Sequence, residues 1–109
     1  MQAQVMSSHH PEISVIIPIY NEANNLASLS ARLSAVLEGG DYSFEVILIN
    51  DGSQDDSLEK IRSLCAQSPN YRALSLSRNF GKEVAITAGL DQARGDAVII
   101  MDADLQHPP

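Results

Sequence analysis

One cysteine, no tryptophan and only 7 lysines and arginines bound what a chain of 109 residues can be. Cys65 alone cannot close a disulfide within the chain, which fits a reducing compartment. It falls in line with Leu58, Ile61 and Leu64 on a helical stripe and reads as a small apolar core residue. No histidine lies near it in sequence, so nothing marks it as a nucleophile. The absence of a cysteine cluster and of His-Glu-x-x-His disfavours zinc chemistry. The few basic residues stand against 14 aspartates and glutamates, a formal net charge of −7, whereas a nucleic-acid binder would carry a basic patch. Long apolar runs are missing as well: nothing approaches the ~18 residues that span a bilayer. Residues 1–10 have neither the basic start nor the apolar stretch of a signal peptide.

What remains, 44% hydrophobic and 19% charged, is an ordinary globular composition. Residues 1–12 read as a flexible polar tail and residues 13–109 as one domain. Within it, short apolar runs alternate with helical stripes. Ile13-Ser14-Val15-Ile16-Ile17 is a β-branched run expected to end at Pro18. Asn25 to Leu37 carries a stripe at Leu26, Leu29, Leu33, Val36 and Leu37, closed by Gly39-Gly40. Phe44 to Ile49 is the second strand, followed by a helix from about Asp56 to Gln67 with Ser53 or Asp55 as N-cap. Tyr71 to Ser77 alternates apolar and polar residues as a third strand. Glu83 to Ala93 is a helix closed by Gly95, whose Ala85, Ala88 and Gly89 would let it lie close against the sheet. Ala97 to Met101 is the fourth strand. The order βαβαβαβ predicts a Rossmann-like α/β fold, a mostly parallel sheet with helices on both faces.

A parallel sheet sends every strand's C-terminal end to one rim, where such sheets bind ligands. The segments that follow the four strands are Pro18-Ile19-Tyr20-Asn21-Glu22, Asn50-Asp51-Gly52-Ser53, Arg78-Asn79-Phe80-Gly81-Lys82 and Asp102-Ala103-Asp104-Leu105-Gln106. Each has a bland explanation as turn, cap or solvated charge, but their convergence favours a site. Two carboxylates at i and i+2 of an extended segment lie on one side, about 7 Å apart. Asp102 and Asp104, with the Gln106 amide, therefore offer oxygen ligands to Mg²⁺ or Mn²⁺. Asp51 and Glu22 can accept hydrogen bonds from a base or ribose, Pro18 and Tyr20 offer apolar surface, and Arg78 and Lys82 can pair with phosphate. A metal on a diphosphate offsets the charge that builds as the diphosphate departs. Rival signatures fail: Leu76 stands where a phosphate-cradling loop needs its first Gly, Glu83 replaces its Ser or Thr, and no Gly-x-Gly-x-x-Gly follows a strand.

These residues resemble the inverting family 2 glycosyltransferases of the GT-A fold, through Val15–Glu22, Asn50–Ser53 and Asp102-Ala103-Asp104. Ser77–Glu83 and Met101–Pro109 are similar to bacterial polyprenyl-phosphate glycosyltransferases and dolichol-phosphate mannose synthases. The resemblance implies that Pro18, Tyr20 and Glu22 hold a nucleoside, that Asp51 contacts the base, and that Asp102, Asp104 and Gln106 bind metal and diphosphate. Arg78 and Lys82 are added near the sugar or phosphate. It implies a nucleotide-diphosphate sugar as donor, a UDP-sugar ahead of GDP-mannose. The reaction would be a single displacement at the anomeric carbon, with a polyprenyl phosphate as acceptor in a complete form. Asn50 departs from the Asp-Asp pair common in the family. Family domains continue past the aspartate motif, so the chain is expected to be the N-terminal, nucleotide-sugar-binding half. It would be cytoplasmic, and in a full-length form lie at the cytoplasmic face of the membrane.

A second reading is a nucleotide-sugar-binding or interaction fragment without turnover, lacking the acceptor half, in which an open sheet edge at the fourth strand lets copies of the chain associate. A phosphoacceptor receiver domain is a third reading. It needs acidic residues after the first strand and a lone Asp after the third, where Asn21-Glu22 and Arg78-Asn79 stand.

Overall fold

Every strand of the sheet runs in the same direction, in the order β3-β2-β1-β4. The computed structural model describes residues 10–37 and 39–103. Its strands are β1 (Ile13–Ile19), β2 (Phe44–Asn50), β3 (Tyr71–Ser75) and β4 (Ala97–Ile100). Its helices are α1 (Leu26–Leu37), preceded by a 3₁₀ turn at Ala23–Asn25, α2 (Ser57–Gln67) and α3 (Lys82–Gln92). The expected α/β architecture with a parallel sheet is thus present. β1 lies at its centre, in register with β2 from Ile13↔Phe44 to Ile19↔Asn50 and with β4 from Ile13↔Ala97 to Ile16↔Ile100.

β1 runs through the expected stop at Pro18 and ends at Ile19, two residues past Ile17. The Ile19 carbonyl accepts from Asp51 on the β2 side, and the Ile16 carbonyl accepts from Met101 on the β4 side. By alternation Pro18 faces the β4 side, beyond the last residue that β4 pairs. No ladder bond is asked of its missing N–H there, so the strand continues.

Alternation also divides the core. Val15, Ile17 and Ile19 with Val46 and Leu48 meet Leu26, Leu29 and Leu33 of α1 and Ile61 of α2 on one face. Ile16, Ile47 and Ile49 meet Ala85 of α3 on the other. Each fully buried Ile or Leu of these layers contributes about 1.5–3 kcal/mol of transfer free energy. α3 does approach closely: a Cβ at Gly89 would stand 2.7 Å from a methyl of Ile16. Cys65 is half-buried against the first layer, and burial pushes its thiol pKa up, consistent with an inert packing role.

Some boundaries differ from expectation. β3 stops at Ser75 rather than Ser77, and α3 covers Lys82–Gln92 rather than Glu83–Ala93. Gly95 does not cap α3, which ends at Gln92 before an extended Ala93. Gly95 instead passes so near β1 that a Cβ would stand 2.6 Å from the Ser14 amide nitrogen. Neither Ser53 nor Asp55 is the N-cap of α2; that position is Asp56, while the Asp55 carboxylate accepts from the Ser57 amide at 2.9 Å. Within the expected tail, residues 1–9 lie outside the described residues. Pro11 is buried, and the Glu12 amide donates to the Ser43 hydroxyl at 3.0 Å.

On the α3 face, at the N-terminal ends of the strands, Ser14, Glu45 and Arg72 form a polar row across three strands. The Glu45 carboxylate accepts from the Ser14 hydroxyl at 2.6 Å, the Arg72 guanidinium at 2.8 Å and the Arg94 amide at 2.8 Å. Ser14 Oγ accepts from the Gly95 amide at 2.8 Å, and Arg72 also donates to the Gln92 carbonyl at 2.6 Å. The row ties the α3–β4 connection to the sheet. Burial opposes ionisation of Glu45, but the bonds from Ser14, the Arg94 amide and Arg72, with the Arg72 charge, hold its carboxyl below the usual value. A depressed folded-state pKa contributes stability that is present above the unfolded value of 4.5 and lost as pH falls through the lower folded value. Glu45→Gln should therefore cost about 2 kcal/mol at neutral pH, on the scale of a charged hydrogen bond. It should also flatten the acid limb of the stability curve, as measured by urea unfolding from neutral to acidic pH.

Candidate functional site

The C-terminal rim of the sheet is cross-linked by side chains before any ligand is considered. Asn21, just past β1, adopts a left-handed φ of 52°, which Asn tolerates better than most residues. Its amide donates to the Ser53 hydroxyl at 2.9 Å, and its Oδ1 accepts from the Gln54 amide at 2.7 Å and the Asp55 amide at 3.3 Å. It thus joins the β1 loop to the β2 loop rather than capping the helix that follows it. Asp55 answers by accepting from the Ala23 amide at 3.3 Å. Its carboxyl is held below the usual range chiefly by the Ser57 hydroxyl, then by the Ser57 and Ala23 amides.

Asn50 uses both ends of its amide. Oδ1 accepts from the Ser53 amide at 3.1 Å, and Nδ2 donates to the Ser75 hydroxyl at 3.1 Å. A carboxylate could fill the first role but has no proton for the second.

Asp51 is only 2% exposed. Its Oδ1 accepts from the Phe80 amide at 2.8 Å, and its Oδ2 from the Gly81 amide and Asn79 Nδ2, both at 3.0 Å. Asn79 Nδ2 also reaches the Asp51 carbonyl at 3.1 Å. Gly52, at φ +70°, lies against the same segment: a Cβ there would stand 2.3 Å from the Arg78 carbonyl carbon and the Asn79 nitrogen. Only glycine fits that approach.

These cross-links frame a cleft of about 430 Å³ lined by Pro18, Ile19, Tyr20, Glu22, Asp51, Asn79, Gly81, Lys82, Asp102 and Ala103. Segments after all four strands therefore do meet, as the sequence suggested. Tyr20 is exposed at the cleft, and Glu22 accepts from Asn25 Nδ2 at 2.6 Å. Lys82, at the start of α3, sets its ammonium 2.5 Å from Asp102 Oδ1 on the opposite side. Arg78 is not among the lining residues; its guanidinium stacks 4.8 Å from the centroid of the Phe80 ring. Ile19, Asn79, Gly81 and Ala103 line the cleft without having been expected as site residues. Asn79 could have been suspected, as a short amide beside the rim glycines.

Asp104 and Gln106 lie outside the described residues, and among the described residues no cluster of three His, Cys, Asp or Glu side chains forms. Asp102 brings to the cleft a carboxylate, the type of oxygen ligand a hard cation takes. Its exposed carboxylate faces the cleft and already carries a positive group, the Lys82 ammonium. A second cleft of about 390 Å³, at the opposite end of the strands, includes Glu45 and Arg72, which are committed to each other.

Residues 14–109 match the sequence model of "Glycosyl transferase family 2". A glycosyltransferase of Synechocystis is 48% identical over 98 residues, 90% of this chain and 31% of that protein. The undecaprenyl-phosphate 4-deoxy-4-formamido-L-arabinose transferase of Pseudomonas syringae is 46% identical over 99 residues, 89% of this chain and 29% of that protein. Among solved structures, the Pyrobaculum calidifontis mannosyltransferase in complex with GDP-Man and Mn²⁺ superposes with a TM-score of 0.76 at 26% identity. That match covers 94% of this chain and 30% of that one. The chain thus spans about three-tenths of the length of the curated relatives it matches. With its parallel sheet, its rim cleft and a family match that runs from Ser14 onward, the chain belongs to glycosyl transferase family 2.

Proposed function

We propose that the cleft is the donor site of a glycosyltransferase, binding a nucleoside-diphosphate sugar for transfer with inversion to a polyprenyl phosphate in a complete form of the protein. The observation that carries this reading is the meeting of Asp102 and Lys82 with Pro18, Tyr20 and Glu22 in one cleft at the strands' C-terminal ends. Tyr20 and Pro18 offer the apolar surface a base needs, and Glu22 offers a carboxylate to a ribose hydroxyl. Lys82 supplies a positive charge within reach of a diphosphate. Asp102, with Asp104 and Gln106, would hold Mg²⁺ or Mn²⁺. A divalent cation bound there offsets the charge that develops on the departing diphosphate.

The acceptor assignment draws on a relative named for its undecaprenyl phosphate substrate. A phosphate oxygen is already ionised near neutral pH, so the acceptor needs no strong base to activate it. The expected place of action is the cytoplasmic face of a membrane; among the described residues no helix is long and apolar enough to cross one. The sequence resemblance favours a UDP-sugar, whereas the mannosyltransferase neighbour holds GDP-Man.

A donor at about 100-fold above its Kd adds about 2.7 kcal/mol of stability, which for a domain of this size raises the melting temperature by roughly 10 °C or more. UDP-sugar with Mn²⁺ should produce that rise, GDP-mannose a smaller one, and Asp102→Ala or Asp104→Ala should remove it. No rise with either nucleotide, in protein whose circular dichroism reports a folded state, would sink the donor reading.

The exposed edge favours a second reading alongside the first. β4 pairs only with β1 among the described strands, and Val98, Ile99 and Ile100 are 40–48% exposed. An open, apolar edge invites pairing with a second copy of the chain. Sedimentation velocity should find concentration-dependent dimers that Val98→Lys abolishes; a monomer at the highest soluble concentration would refute this.

A further inference from the structure

We infer that Asn79 is a positioning residue for the donor cleft: seated on the Asp51 carboxylate, it fixes the Arg78–Gly81 segment so that Lys82 stands across from Asp102. This rests on the donor-site reading given above.

A carboxylate has about four acceptor positions. Three on Asp51 are taken by Asn79 Nδ2 and the Phe80 and Gly81 amides. At 2% exposure, Asp51 is held firmly where it lines the cleft. Asn79 contributes a fourth link through the Asp51 carbonyl, so a single side-chain amide grips both the backbone and the side chain of the β2 loop.

The gripped segment leads straight into α3. The Gly81 amide bonds Asp51, the Gly81 carbonyl accepts from the Ala85 amide at 3.1 Å, and Lys82 is the first helical residue. The Lys82 ammonium therefore leaves from a backbone point fixed by Asp51 and Asn79. Gly52 tightens the same joint from the other side, where its α-carbon approaches the Arg78–Asn79 peptide too closely for a side chain. Asn79 is itself an exposed residue, so its replacement removes the grip without opening the core. A clamp made before ligand arrives spares the ordering cost that binding would otherwise meet.

Two measurements on the 109-residue chain test this. The first is amide hydrogen exchange at Phe80 and Gly81 in ligand-free protein. Asn79→Ala should speed it by about tenfold, the scale of one lost hydrogen bond. The isosteric Asn79→Asp should do the same or more, because it sets a second carboxylate against Asp51. The second is calorimetric affinity for UDP with Mn²⁺ in a cycle of Asn79→Ala, Lys82→Ala and the double variant. Each single change should weaken binding by about tenfold, and the double variant should bind no worse than Lys82→Ala alone, since Asn79 acts through Lys82. Unchanged exchange in Asn79→Ala overturns the clamp. Losses that add in the double variant overturn the route through Lys82, because a purely structural role predicts additivity. Wild-type protein that does not bind UDP with Mn²⁺ overturns the donor reading, and with it Lys82 as the recipient, while the exchange result still judges the grip on Asp51.

Discussion

The parallel pairing of β1 with both of its neighbours is the constraint on which everything else in this chain depends. Parallel strands cannot be joined by tight turns, so β1, β2 and β3 are each followed by a helix that returns the chain to the start of the sheet. Every segment that leaves a strand therefore leaves from the same rim. The register from Ile13↔Phe44 to Ile19↔Asn50 sets Tyr20, Asn21 and Glu22 level with Asp51, Gly52 and Ser53. A slip of one residue would turn Ile16 and Ile17 to the wrong faces and separate these loops at the same time.

That rim is built as a frame first. Asn21, Asn50 and Asp51 are polar residues whose side chains serve neighbouring backbone amides and hydroxyls. Buried amides in loops must find partners, and here short side chains supply them from the next strand's loop. The groups left facing the cleft, among them Tyr20, Lys82 and Asp102, are the more exposed ones. The opposite end of the strands follows the same economy: Ser14, Glu45 and Arg72 join three strands and fasten the connection into β4.

Much of this was legible in the sequence. β-branched runs at Val15–Ile17 and Val46–Ile49, and the stripe of Leu26, Leu29 and Leu33, are periodic enough to name strands and helices. Ala85 and Gly89 correctly announced a helix lying close to the sheet. Pro18 misled because a proline stops a strand only where its missing N–H faces a partner, and which side it faces depends on where β4 ends. Gly95 misled in the same way: glycine after a helix is a common cap, but here the need for it arose from the nearness of Ser14, 81 residues away in sequence.

The sequence by itself determined the element order, the parallel sheet, the rim on which the polar clusters gather and the family they belong to. These follow from periodicity and local residue chemistry, which the chain carries in short windows. Tertiary structure alone decided how enclosed each polar residue of the rim is and which neighbours it bonds. Asp51 and Asp102 are both aspartates after a strand, yet one is 2% exposed and bonded to the Asn79–Gly81 segment while the other is open beside Lys82. The difference comes from what packs against each carboxylate, and contacts between segments distant in sequence are not written in either segment alone.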